Sequence, residues 1–78
     1  MSYNNKNSKE FLNFVKKQYE TIKINTEILI DDKDLYIVIA RTKNKQQDFY
    51  VLQNTKSKER FCMDLKYFID NIQKIEFI

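Results

Sequence analysis

Three carboxylates stand within four residues, at Asp31, Asp32 and Asp34. Such oxygens suit a hard divalent cation. A calcium loop also needs further ligands in register and a Gly at its sharp turn, and this chain has no Gly. Asp is an ordinary turn former, so the triplet reads as a hairpin turn and no metal is expected. Cys62 is the one thiol. A reactive cysteine needs a neighbour that lowers its pKa. Cys62 sits between Phe61 and Met63 in a chain without His, and reads as a buried or half-buried structural residue. Glu27, Glu59 and Glu76 are carboxylates for acid–base work, but no spacing joins any two of them. Tyr36, Arg41, Tyr50 and Arg60 are what a small metal-independent ribonuclease would draw on. No catalytic residue follows from these sets, and an enzyme is not expected.

The missing residue types sharpen that exclusion. Without His there is no Ser-His-Asp triad, no Cys-His pair and no imidazole ligand. One Cys allows neither an intramolecular disulfide nor a zinc ribbon, and suits a reducing compartment. Without Gly there is no phosphate-cradling loop and no dinucleotide fingerprint. No cofactor is therefore expected. The longest apolar run, residues 35–40, falls far short of the ~20 needed to span a bilayer. Residues 1–7 lack the apolar stretch of a signal peptide. The expectation is a soluble cytoplasmic protein with no membrane partner.

The basic residues are the more useful chemistry. The formal charge is +3. One set of cations lies at Lys9, Lys16, Lys17 and Lys23, a second at Arg41, Lys43 and Lys45, and a third at Lys56, Lys58 and Arg60. Aromatic side chains between basic loops can stack single-stranded bases, and Tyr36, Phe49 and Tyr50 are the candidates. The partner-binding residues expected from this pattern are Lys43, Lys45, Tyr50, Lys56, Lys58 and Arg60.

Positioning these residues requires a fold. The chain has 78 residues, room for one domain over 1–78, with polar residues 1–7 expected to fray. It is 42% hydrophobic, well above a disordered chain. Asn7 and Glu10 have capping-box spacing. Leu12, Val15, Tyr19 and Ile22 then fall at i, i+3, i+7 and i+10, with Phe11 and Phe14 widening the stripe. This spacing predicts an amphipathic helix of about 15 residues. From Ile24 the period becomes two, predicting a strand over 24–30. Residues 35–42 begin with six apolar positions, predicting a central strand covered on both faces. A polar loop over 43–47, with Asn44 in the left-handed region, leads to a third strand at 49–53. Residues 59–63 read as a short fourth strand or as the lead-in to a helix, with the strand preferred. Asp64 reads as an N-cap, with Leu65, Phe68, Ile69 and Ile72 on one helical face. Residues 74–78 alternate again. Phe68 and Ile37 are read as core.

The fold class is thus α+β, an N-terminal amphipathic helix packed on a four- or five-stranded antiparallel meander in the order α-β-β-β-(β)-α-β. A strongly curved, Tudor-like small barrel over residues 24–78 fits the same order by analogy of fold. Consecutive hairpin loops of a meander lie at opposite ends of the sheet, so the second and third basic sets need not form one patch. So small a domain buries about 60–65% of its unfolded surface, and a homodimer is one way to add stability.

Ile, Asn, Lys, Tyr and Phe supply 41 of the 78 residues, all with A/T-rich codons, which points to a bacterial, phage or plasmid gene. Size, composition and element order over residues 8–78 resemble those of small phage-encoded anti-defence proteins, including certain anti-CRISPR proteins. The resemblance implies a non-enzymatic inhibitor or adaptor that blocks a host protein or nucleoprotein defence complex by occupying its surface. Many DNA-mimicking members are acidic, whereas this chain is basic and better suited to an acidic protein surface or guide-RNA phosphates. The alternative is a small basic nucleic-acid-binding module that uses strand aromatics and the basic hairpin loops to contact RNA or DNA.

Overall fold

The computed structural model describes residues 9–78. The elements are α1 (Lys9–Glu20), β1 (Glu27–Ile30), β2 (Asp34–Lys43), β3 (Asp48–Asn54), β4 (Arg60–Asp64), α2 (Leu65–Asp70), a 3₁₀ turn at Ile72–Lys74 and β5 (Ile75–Phe77). This is the α+β order expected. The five strands form one antiparallel sheet, β4-β3-β2-β1-β5, open at both edges rather than closed into a barrel.

Helix α1 buries Val15 and Tyr19 and leaves Lys9, Asn13, Lys16, Lys17 and Glu20 exposed. Asn7 and its cap lie outside the described residues. Phe14 does not widen the buried stripe, because it points to solvent with 65% exposure. Strand β1 also begins later than its alternation suggests. Residues 24–26 form a turn, with Asn25 at φ 76° and Ile24 exposed, so only Ile28 and Ile30 reach the core.

Turns without Gly depend on short polar side chains. Asp31 and Asp32 both have positive φ, 61° and 58°, and Lys33 N–H donates to the Ile30 carbonyl. Residues 31–33 thus join Ile30 to its cross-strand partner Asp34, and the two left-handed positions are taken by Asp, which does there what Gly ordinarily does. The Asp cluster is therefore a turn, and no metal-holding group of residues occurs among those described. Asn44 does not adopt a left-handed conformation. Its Oδ1 instead accepts from the N–H groups of Gln46 and Gln47, at 2.9 and 2.8 Å. Asn54 does the same for Lys56 and Ser57, and the left-handed residue of that loop is Lys58 at φ 68°. Asp64 caps α2 as expected, accepting from Tyr67 N–H at 2.8 Å.

The chain leaves β4 at one edge of the sheet and returns as β5 at the other. Helix α2 makes that crossing, and its Phe68 joins the same core as Val15 and Tyr19 of α1. Both helices thus cover one face. The core is Val15, Tyr19, Ile28, Ile30, Val38, Tyr50, Leu52, Met63 and Phe68. The smallest extent of the molecule is 15 Å, the depth of one sheet and one helical layer.

Strand β2 carries a bulge. The register shifts between Val38 and Ala40, so Ile39 and Ala40 together oppose Val51. An unbroken strand would put Arg41 on the face away from Val38. The bulge turns Arg41 and Lys43 onto the helix-bearing face, opposite Tyr50 and Asp48.

Ile37 pairs with Glu27 and Gln53 and belongs to the other face, which corrects its reading as core. Phe68→Ala should therefore cost about 3–5 kcal/mol and Ile37→Ala less than half as much. Urea unfolding of the two variants checks this, and equal losses would contradict the two-layer arrangement.

Candidate functional site

Of the residues expected to bind a partner, Tyr50 is the clearest correction. It is fully buried, because its position in β3 alternates with Leu52 on the helix-bearing face. Its hydroxyl donates to the Tyr19 carbonyl, and its ring meets that of Tyr19 edge to face at 4.9 Å. The Tyr19 hydroxyl donates in turn to the carbonyls of Asp48 and Met63, at 3.1 and 3.2 Å. Arg41 closes the group. Its guanidinium lies 4.5 Å from the Tyr50 ring centre and donates to Asp48 Oδ1 at 2.9 Å, Glu20 Oε1 at 3.2 Å and the Glu20 carbonyl at 3.2 Å. Lys43 completes it with an ion pair to Glu20 at 3.0 Å. The hydrogen bonds from Lys43 and then Arg41 hold the Glu20 carboxyl below its ordinary pKa.

This cluster fastens the end of α1 to β2 and β3. It also commits Lys43, whose charge is matched by Glu20 rather than offered to a partner. Lys45, Lys56, Lys58 and Arg60 are exposed. Lys45 lies in the β2–β3 loop. Lys56, Lys58 and Arg60 lie at the far end of the sheet, on the side of the Asp31–Asp32 turn, where Thr55 N–H reaches the Leu35 carbonyl. The cations therefore do not form one patch, and acidic residues adjoin each group. The stacking candidates are divided as well. Tyr36 lies on the helix-bearing face against Phe61, Tyr50 is core, and Phe49 is on the opposite face.

That opposite face is the surface the pattern of cations did not indicate. It carries Leu29, Leu35, Ile37, Ala40 and Val51 with Phe49 beside Thr42, and Ile39 at the bulge. These side chains are half-buried by one another, and none packs against the core cluster. Among the described residues both helices lie on the other side of the sheet. Cys62 belongs here too, opposite Val51, and is exposed rather than structural. The rim is polar: Glu27, Gln53, Arg60, Asp64 and Glu76. A contiguous apolar patch with a polar rim is the ordinary form of a protein-binding surface. Its sequence signal was residues 35–40, apolar on both faces in a chain with too little helix to cover both.

Comparison with known protein families, curated proteins and solved structures finds no match to this chain. No described helix is long and apolar enough to cross a membrane.

Burial pushes the phenols of Tyr19, Tyr50 and Tyr67 above their ordinary pKa. The folded state keeps them protonated where the unfolded chain ionises them. Their contribution to stability is complete below about pH 10 and is lost as pH rises above it. Urea midpoints measured from pH 8 to pH 11 should fall steeply above about pH 10, and less steeply in Tyr50→Phe. An equal alkaline slope in both proteins would contradict the buried phenol.

Proposed function

We propose that this chain is a non-enzymatic small binding protein. It acts in the host cytoplasm as a phage- or mobile-element-encoded inhibitor or adaptor. It occupies the surface of a host protein or nucleoprotein complex and blocks it. The observation that carries this reading is the apolar sheet face that no described element covers, Leu29, Leu35, Ile37, Phe49 and Val51, ringed by polar side chains. Burying such a face from water favours association by roughly 25 cal/mol per Å² of apolar surface, before the entropy of ordering is subtracted. The exposed cations Lys45, Lys56 and Lys58 lie in the loops at the two ends of the sheet, where they steer approach to an acidic partner more than they hold it.

Tagged full-length protein expressed in a host carrying defence nucleases should retain a stoichiometric protein partner. Ile37→Lys should abolish retention while leaving the far-ultraviolet circular dichroism unchanged. Lys45→Glu/Lys56→Glu should lower it only several-fold, chiefly through the on-rate. No stoichiometric partner, or retention that survives Ile37→Lys, would overturn the proposal. Fluorescence anisotropy with labelled oligonucleotides addresses the nucleic-acid alternative. Binding tighter than about 10⁻⁴ M at low salt, falling steeply with added salt and lost in Lys56→Glu, would replace protein binding by phosphate binding.

A further inference from the structure

We infer that the open sheet face is self-complementary and that a second copy of this chain occupies it, the two sheets stacked face to face. This rests on the reading of that face as the binding surface and names its occupant in the free protein.

The registers place Arg60 opposite Gln53, Gln53 opposite Ile37, and Ile37 opposite Glu27. These four residues form one row across the sheet, a cation on edge strand β4 and an anion on β1. Arg60 Nε donates to Gln53 Oε1 at 2.8 Å, which lays the guanidinium along the apolar face and leaves its terminal N–H groups free for a partner. Among the described residues neither Arg60 nor Glu27 has an ion pair within the chain, whereas Arg41, Lys43 and Lys66 all do.

A two-fold axis parallel to the strands, between β2 and β3, resolves this. It reverses the strand order of the second copy, so that β4 lies over β1 and β2 over β3. Ile39 and Ala40 then face Val51 of the second copy, and Thr42 faces its Phe49. Arg60 lies over Glu27 of the second copy, and the symmetry repeats that pair. An isologous contact needs such a reciprocal arrangement. Aligned sheets stack about 10 Å apart with their inner side chains interdigitated.

The size of the patch sets the strength. Four strands about 4.8 Å apart, and four rows about 6.8 Å apart, make it roughly 15 by 20 Å. A standard interface buries about 800 Å² per partner, so this pairing is weak and reversible. The dimer shields the apolar face at high concentration and releases it to a target at low concentration.

Sedimentation equilibrium on the full chain tests this. The wild type should pass from monomer to dimer between low-micromolar and millimolar concentration. Ile37→Lys should stay monomeric throughout. Arg60→Glu and Glu27→Lys should each weaken the dimer by roughly tenfold, and the double charge swap should recover most of that loss. Maleimide labelling of Cys62 should slow as the wild type dimerises. A wild type monomeric to millimolar concentration, or a double swap no tighter than the single variants, would overturn the inference. If the wild type is monomeric while Ile37→Lys still loses its captured partner, only the self-pairing falls. If Ile37→Lys changes neither mass nor capture, the reading of the face falls with it.

Discussion

The junction of Tyr19, Tyr50 and Arg41 is the interaction on which the rest of the structure depends. Tyr19 is the last buried residue of α1, and its hydroxyl and carbonyl both bond to the sheet. Arg41 donates to the terminal carbonyl of the same helix, where the helix dipole is negative and a cation is favourable. The guanidinium lies over the rings of Tyr19 and Tyr50, 5.7 and 4.5 Å from their centres, and a planar cation is attracted to such a face. One buried nitrogen of Arg41, Nε, has no hydrogen-bond partner, a cost that the other donors of the same group offset. Without this junction α1 would be held by little more than Val15 and its half-buried neighbours.

Fixing α1 at that point also decides which side of the sheet is covered. Helix α2 must cross from β4 to β5, and packing beside α1 buries Phe68 against the same core. Two short helices are enough for one face of a five-stranded sheet and not for two. The side that no described element covers keeps β-branched and aromatic residues that make good strands, so strand propensity and surface stickiness come from the same side chains. That coupling is why the proposed binding role rests on the sheet face rather than on any motif.

Much of the fold was legible in the chain. Alternation marked the first and last strands, a run of six apolar residues marked β2, the i, i+3, i+7 spacing marked α1, and Asp64 marked the start of α2. Local chemistry accounted for the turns less well. Asp31 and Asp32 took the role of Gly as their type allows, but Asn44 bonded to the backbone through its side chain instead of twisting it. The surface was legible only in part. Exposure of Lys45, Lys56, Lys58 and Arg60 follows from charge alone. Burial of Tyr50 and exposure of Cys62 do not, because both depend on which face each strand turns towards the helices.

The sequence by itself determined the α+β class, the antiparallel order and the absence of His, Gly and paired Cys chemistry. These follow from period and composition, which act locally. Only the tertiary structure decided the two faces. The bulge at Ile39 reversed the sense of β2 beyond Val38, brought Arg41 and Lys43 to the helix-bearing face, and put Ala40 and Thr42 on the open side beside Val51 and Phe49. Pairing across strands selects where such an extra residue is placed, and nothing within a single strand records it.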